Sequence, residues 1–223
     1  IGKSFFIDNE EILKKSRGNG YWLWKPYFIK KTLENLNDGD YLFYCDSGSV
    51  IINSLSFLLD AIDREQSVIP FELSHIEQKF TKKQSFVLMD CAKVEYYETR
   101  QRLGGYHLWK KDDFSMNFIN EWLKYSMNER VLTDYDKNYD CPNYKGFIDH
   151  RHDQSIFSLL SKKYGLKAYR DPSQFGNDFI KDYTNSNFPQ FIISTRERNK
   201  NLKNILKKQV KKALIKVGFL SNS

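Results

Sequence analysis

Asp46 ends a short hydrophobic segment, at a position where many α/β proteins meet their ligands. Residues 41–45 are apolar or aromatic without alternation and follow a turn signal. This pattern predicts a strand buried on both faces, as in a central parallel strand. Ligands in open α/β sheets lie just beyond the carboxyl ends of such strands. Asp46, followed by Ser47 and Gly48, is therefore predicted to meet a ligand or a metal ion; the alternative is a turn or a helix cap.

The densest group of titratable side chains comes directly before a predicted late helix. Five such residues and an amide follow one another: Asp149, His150, Arg151, His152, Asp153 and Gln154. A helix N-cap needs a single residue, so a cluster of this size favours a functional site. A carboxylate or a histidine can take a proton from a hydroxyl group. Asp153 is the first candidate for such a base, with Asp149, His150 or His152 behind it; the alternative is that Asp153 is only the N-cap.

A glycine-containing loop that runs into a helix start is the third candidate. Residues 17–26 contain an arginine, two glycines, two tryptophans, a lysine and a proline. Glycines let the backbone approach a ligand closely, and helix N-termini favour anions such as a diphosphate. Arg17 and Lys25 are predicted to contact phosphate, and Trp22 or Trp24 to stack on a base or a sugar ring. The alternative is that both tryptophans lie in the core as a hydrophobic staple.

Length and hydrophobic periodicity predict one α/β domain over residues 1–195. With 223 residues, of which 40% are hydrophobic, the chain can bury a substantial core. Apolar residues repeat at helical spacing over residues 51–62 and 114–123, and Asp112 or Asp113 would cap the second of these helices. These helices would surround the strand that leads to the first candidate carboxylate.

Three further strands are predicted from short hydrophobic runs. Residues 68–71 include a proline, which indicates an edge strand. Residues 86–89 predict a second buried strand, ending at Asp90. A third strand is predicted within residues 100–111, directly after a loop formed by Gly104 and Gly105.

Cysteine usage and hydropathy limit the setting of the protein. The three cysteines have no paired spacing, which argues against a disulfide framework and a zinc ribbon. A reducing, cytoplasmic location is therefore predicted. No hydrophobic run approaches the roughly 20 residues that a membrane-spanning helix needs.

Residues 196–223 are predicted to form a separate basic tail. Residues 196–216 carry nine basic side chains and one acidic one, which accounts for the net charge of +7 and leaves the remainder nearly neutral. Apolar residues three and four apart between positions 202 and 217 predict an amphipathic helix on an anionic membrane surface. Docking on the protein's own body is an alternative. Nucleic acid binding is disfavoured by the neutral body and the absence of aromatics before Phe219.

These motifs together resemble a family of bacterial GT-A-type glycosyltransferases encoded with capsule and lipopolysaccharide genes. The resemblance rests on Gly-x-Gly-Tyr-Trp-x-Trp-Lys-Pro at residues 18–26, Asp-Ser-Gly at 46–48 and Asp-His-Arg-His-Asp-Gln-Ser at 149–155. It spans roughly residues 17–196. It implies a Rossmann-like mixed sheet flanked by helices, a nucleotide-sugar donor, and a polysaccharide or lipid-linked sugar acceptor.

The resemblance also implies roles for individual residues. The family binds a divalent metal (Mn²⁺ or Mg²⁺) and the donor diphosphate through Asp-x-Asp; here only the first acid, Asp46, is present, with Ser47 and Gly48 beside it. The Asp153–Gln154 pair is similar to one near the sugar in some retaining transferases. Acceptor contacts are expected from four side chains: His107, Trp109, His150 and Arg151. The family's first strand and nucleotide-binding loop would precede Ile1.

The function predicted from the sequence is therefore glycosyl transfer at the inner face of the cell membrane. Inversion and retention of the sugar's configuration both stay open. A nucleotidyltransferase on the same nucleotide-binding fold is one alternative. A non-catalytic nucleotide- or carbohydrate-binding protein is another, and the incomplete Asp-x-Asp motif favours it.

Overall fold

The protein is a mixed α/β structure in which short helices surround small sheets. The computed structural model describes residues 1–64, 66–135, 141–176 and 188–195. The helices there are α1 (Lys3–Asp8), α2 (Glu10–Leu13), α3 (Gly18–Tyr21), α4 (Trp24–Glu34), α5 (Ser56–Arg64), α6 (Glu77–Phe80), α7 (Lys83–Leu88), α8 (Val94–Tyr97), α9 (Asp113–Ser126), α10 (Glu129–Leu132) and α11 (Asp153–Lys163). The strands are β1 (Tyr41–Cys45), β2 (Ser49–Ile51), β3 (Val68–Ile69), β4 (Phe71–Ile76), β5 (Arg100–Arg102), β6 (Tyr106–Lys110), β7 (Tyr169–Arg170) and β8 (Ile192–Ser194).

Strand β1 leads to the first candidate carboxylate, and its pairing differs from the prediction. Its sheet has the order β1, β6, β3, and both outer strands run antiparallel to β6. The predicted strand is confirmed, but its predicted central, parallel position is wrong. The hydrophobic run has another cause, because Leu42 and Tyr44 pack on one hydrophobic cluster while Phe43 and Cys45 pack on a second.

The other strands form two more small sheets. Strands β2 and β8 pair antiparallel, while β4 pairs antiparallel with β5 and parallel with β7. The predicted edge strand is confirmed as β3, and Pro70 separates it from β4 in a different sheet. The mixed α/β class is therefore confirmed, whereas the predicted single mixed sheet is divided among separate small ones in the described part of the chain.

The strand predicted at residues 86–89 is wrong, because this segment belongs to α7 and the turn after it. Phe86 and Met89 are fully buried, whereas Val87 between them is exposed. Burial at a spacing of three is that of a helix face. A hydrophobic run of four residues cannot by itself distinguish the two structures. Asp90 follows in a left-handed turn, with φ of 56°.

Helices α9 and α11 pack on each other and support the start of α11. Asp112 caps α9 as predicted, because its side chain accepts from the backbone N–H of Ser115 in a capping box. On the same helix, the indole N–H of Trp122 donates to the backbone carbonyl of Asp153 over 3.2 Å. Gly165, with φ of +66°, follows the end of α11 as predicted.

Helix length and hydrophobicity bear on membrane association. In the described ranges, helices fall short of the length and hydrophobicity that crossing a bilayer requires. The amphipathic helix predicted within residues 196–223 lies outside the described residues and stays a prediction.

Candidate active site

The structure brings together two of the sequence motifs that lie far apart in the chain. The loop at residues 17–26 runs alongside residues 149–154, and their contacts follow the same order in both segments. The contacts that join them include Arg17 to Asp149 at 3.2 Å, the ring of His152 to those of Tyr21 and Trp22 at 4.8 and 5.6 Å, and Lys25 to Asp153 at 2.7 Å. The end of β1 meets both motifs at the last of these contacts.

Lys25 is the centre of this arrangement. Its ammonium lies 2.7 Å from Asp153, 3.5 Å from Asp46 and 2.9 Å from the backbone carbonyl of Gly104. The residue is only 3% exposed. Burial lowers the pKa of Lys25, but the two carboxylates more than offset this and raise it overall. Lys25 is therefore a fixed buried cation, whereas the sequence predicted a side chain that reaches phosphate directly.

Asp153 is a buried carboxylate rather than a helix cap. The N-cap of α11 is His152, and Asp153 is the first residue of the helix, 4% exposed. The alternative that Asp153 serves only as the N-cap is therefore wrong. Burial raises the pKa of Asp153 to about 6, against the lowering effect of Lys25. A carboxyl group whose pKa is raised towards neutrality beside other charged groups suits proton transfer.

Asp46 is the exposed carboxylate beside Lys25. Its side chain is 48% exposed, and its Oδ1 accepts a hydrogen bond of 2.6 Å from the hydroxyl of Tyr44. The Tyr44 ring in turn stacks on His107 with centroids 5.1 Å apart. Burial and the Asp46 charge raise the pKa of Tyr44, so its hydroxyl stays a donor. The backbone of Asp46 also makes the turn that the alternative proposed, since its carbonyl accepts from Ser49.

Gly104 and Gly105 form a bend that the sequence analysis did not include in the site. The Gly104 carbonyl accepts from Lys25, and the Gly105 carbonyl accepts from the backbone N–H of Asp46. A Cβ atom on Gly104 would lie 2.9 Å from the Cβ of Gln154, and one on Gly105 would lie 3.3 Å from Asp46 Oδ2. The adjacent glycines before a predicted strand were the available signal, because close approach of two chain segments requires them.

The two tryptophans brace the loop rather than fill the core. Both are half-buried, so the staple alternative is wrong in placing them there. Trp22 stacks on His152, and the indole N–H of Trp24 donates to the carbonyl of Gly18 over 3.0 Å. Several non-glycine residues adopt positive φ here: Asn19, Tyr21, Trp22 and His152. Such backbone is costly and is concentrated at functional sites.

Charged residues form an exposed network at the rim of the site. Arg17 bridges Asp149 and Asp134 at 3.2 and 3.1 Å, and Arg151 lies 3.9 Å from Asp149. His152 donates from Nδ1 to a backbone carbonyl, and burial lowers its pKa, so the ring is neutral. Its Nε2 lies 3.9 Å from Asp134 Oδ1. Arg17 is thus neutralised by carboxylates in this state, and its predicted phosphate contact stays a prediction.

Three residues predicted to contact an acceptor lie in the protein interior instead. His107 and Trp109 are fully buried, and the indole N–H of Trp109 donates to Nδ1 of His107 over 2.6 Å. His150 is buried between the backbone N–H of Lys82 and the carbonyl of Val131. Burial lowers the pKa values of both histidines. Without surface for an acceptor, these three predictions do not agree with the structure; Arg151 remains partly exposed.

Gly48 has a structural role that the sequence did not indicate. Its carbonyl accepts from the backbone N–H of Thr195 over 2.7 Å, and a Cβ atom there would lie 2.7 Å from the carbonyl oxygen of Thr195. The glycine therefore lets β8 approach the end of the β1–β2 turn. Ser47 is exposed beside it. Contact of either residue with a nucleotide-sugar donor stays a prediction.

Asp46 also decides whether a divalent metal fits the site. In the described ranges, no group of three or more His, Cys, Asp or Glu side chains is placed to hold a metal ion. Mg²⁺ is, however, often held by one or two carboxylates together with substrate phosphates and water. The Asp46 carboxylate is contacted by Tyr44 and Lys25 through Oδ1, and its side chain is 48% exposed. The Asp46 carboxylate therefore fits a metal ion whose other ligands come from a bound phosphate group and water.

Comparison with known proteins adds one distant structural likeness. No family model matches the chain, and no curated protein matches it. The chain is similar to the crystal structure of mouse xyloside xylosyltransferase 1 in its apo form, with a TM-score of 0.45 and 9% identity. The likeness covers 89% of this chain and 73% of that one. At this score it carries no weight for the assignment, which rests on the residues of the site.

Proposed function

We propose that this chain is a glycosyltransferase domain that moves a sugar from a nucleotide-sugar donor to a polysaccharide or lipid-linked sugar acceptor. The single observation that carries the proposal is the buried Lys25, held between the exposed carboxylate of Asp46 and the buried carboxylate of Asp153. The arrangement lies where two motifs that resemble such enzymes converge. Two carboxylates in unlike environments around one fixed cation are suited to different roles in one reaction.

The roles follow from exposure and from proton affinity. Asp46 faces solvent and would meet the donor, directly or through a metal. Asp153, with a pKa of about 6, would take the proton of the acceptor hydroxyl in an inverting transfer. Lys25 would keep the Asp153 carboxylate ionised at neutral pH and limit its movement. In a retaining transfer, the Asp153 carboxylate would stabilise positive charge that develops on the sugar.

Charge balance supports a divalent ion in the donor complex. Among the described residues, the ion pairs of the site join three cations and four carboxylates: Arg17, Lys25, Arg151, Asp46, Asp134, Asp149 and Asp153. A diphosphate would add negative charge to a site that already has an excess of it. When bound at Asp46, Mn²⁺ or Mg²⁺ would neutralise the charge that develops on the leaving diphosphate.

Purified protein can be screened against nucleotide sugars by thermal shift, because a ligand that binds the folded state raises the melting temperature. A hit should then release nucleoside diphosphate with an acceptor or with water. Asp46→Asn should remove most of the thermal shift, and a chelator should do the same to the native protein. Asp63→Asn, an exposed aspartate paired with Lys110 outside the site, is the matched control.

The other outcomes identify the alternative functions. Release of pyrophosphate would indicate a nucleotidyltransferase, and a thermal shift without turnover would indicate a binding protein. A shift that Asp46→Asn leaves unchanged would contradict the proposed donor site. A thermal shift that a chelator leaves unchanged but Asp46→Asn abolishes would show that the ligand binds at this site without a metal ion.

We also propose that the basic segment at residues 196–217 binds anionic membrane surfaces from the cytoplasmic side. The support is its sequence, in which lysines flank a repeat of apolar residues. The full chain should sediment with anionic vesicles at low salt and be released at high salt. Truncation after Thr195 should abolish sedimentation; equal sedimentation, or unfolding on truncation, would instead support docking on the body.

A further inference from the structure

A chain of hydrogen-bonded side chains runs from the protein interior to Lys25 and begins at Glu77. The Glu77 carboxylate is fully buried. It accepts from Thr81 over 2.6 Å and from Gln101 over 2.9 Å, and it pairs with Lys162 at 2.7 Å. Ser158 also donates to it. A buried carboxylate with this many donors has a fixed position and can serve as an anchor.

Gln101 takes its orientation from that anchor. Its Nε2 faces the Glu77 carboxylate, which only accepts hydrogen bonds when ionised, so this atom must be the amide nitrogen. The Oε1 atom of Gln101 consequently points the other way and accepts from Nε2 of Gln154 over 2.7 Å. Gln101 is fully buried, so water does not compete for these bonds.

The amide orientation of Gln154 follows from that of Gln101 and determines which of its atoms contacts Gly104. Because its nitrogen is used by Gln101, its Oε1 is left to accept from the backbone N–H of Gly104 over 3.1 Å. The carbonyl of the same glycine accepts from Lys25 over 2.9 Å. Both polar atoms of the Gln154 amide are thus engaged inside the protein, and the predicted contact with the sugar would require breaking one of these bonds.

We propose that Gln101 and Gln154 are positioning residues that set the location of the Lys25 ammonium between the two site carboxylates by fixing the Gly104 peptide. The close contact between Gly104 and Gln154 supports this, because a side chain on the glycine would force the two apart. Neither glutamine needs to touch the substrate. The inference rests on the proposed function only for its consequence for turnover, not for the geometry.

The test follows the ionisation of Asp153 in the full chain, by carbon NMR of labelled aspartate during a pH titration without any ligand. Gln101→Leu and Gln154→Leu should each loosen Lys25 and thereby raise the Asp153 midpoint by about half a pH unit, roughly a threefold change in its ionisation constant. The double variant should shift the midpoint no further, since both residues act through one path.

Gln66→Leu is the matched control, because Gln66 is also a half-buried glutamine but donates to the carbonyls of Val68 and Lys167, away from this path. It should lower the melting temperature while leaving the midpoint unchanged. Should Gln101→Leu fail to fold, the half-buried Gln154 still tests the proposal by itself. Midpoints that stay at the native value in Gln154→Leu, or shifts that add in the double variant, would overturn it. Because no substrate is used, either result is independent of whether the protein transfers sugar.

Discussion

Two buried ion pairs lie at opposite ends of helix α11, and they differ in how fully their carboxylates are satisfied. At the C-terminal end, Glu77 meets Lys162 and three neutral donors from side chains. At the N-terminal end, Asp153 meets the Lys25 ammonium and, more weakly, the backbone N–H of Gln154. One helix thus carries a fully bonded pair and a sparsely bonded one.

The difference separates a structural role from a chemical one. A buried carboxylate with many donors is held in one place. A buried carboxylate that depends on one cation titrates close to neutral pH, as the raised pKa of Asp153 indicates. Lys25 is also shared with Asp46, so a ligand that engages Asp46 alters the balance of charge on Asp153. The pair near Lys25 is therefore the one suited to respond to a substrate.

The largest expected effect is on the free energy of unfolding, and it differs between Lys25 and Lys162. Lys25→Met leaves Asp153 buried without its cation and should lower the free energy of unfolding by about 3–5 kcal/mol at pH 8. Lys162→Met leaves Glu77 with its three neutral donors and should cost less. Denaturant unfolding of both variants at pH 5 and pH 8 measures this.

The pH dependence of that loss has a definite sign. The pKa of Asp153 is raised in the folded protein above its ordinary value of 3.8, so folding favours the protonated form. Removal of Lys25 raises it further, and the penalty should be full above that pKa and fade as the pH falls. A loss in Lys25→Met that is equal at both pH values, or a larger loss in Lys162→Met, would contradict the comparison.

The second effect concerns turnover. Asp153→Asn should reduce the rate of sugar transfer by about 100-fold or more, the usual contribution of a positioned acid–base group. Asp63→Asn changes an exposed carboxylate outside the site and serves as control, with a change of a few-fold at most. Rates are compared under conditions where both variants are folded. Full activity of Asp153→Asn would remove its catalytic role.

The smallest effect concerns the exposed rim. Arg17 is 44% exposed and pairs with two exposed carboxylates. Solvent screens such pairs, so Arg17→Ala should change the free energy of unfolding by less than about 1 kcal/mol. Any larger change, measured in the same denaturant series, would show that the rim belongs with the buried pairs in energetic terms.

Local chemistry explains which features could be predicted from the sequence. The cap at Asp112 and the terminal glycine at position 165 depend on neighbouring residues alone, and both are confirmed. The motifs at residues 17–26 and 149–154 stand out in the sequence by their charged and aromatic side chains, and the structure brings them together.

Long-range pairing explains what was not predicted. The burial of Lys25 depends on Asp153, Asp46 and Gly104, which are remote from it in sequence. The prediction that His107 contacts an acceptor is wrong for the same reason. Nothing near His107 in the chain reveals that α9 and α11 cover it. The sequence does not distinguish the helix at residues 83–88 from a strand, because four consecutive apolar residues fit both the helical and the strand period.

The most direct test of the central claim is the pH dependence of kcat/KM for nucleoside diphosphate release from a nucleotide sugar that stabilises the protein. If Asp153 must be ionised to act, activity should fall below an apparent pKa of about 6. The same limb should shift upward in Gln154→Leu and be absent from the residual activity of Asp153→Asn. A limb near pH 4, or one that persists unchanged in Asp153→Asn, would contradict the account.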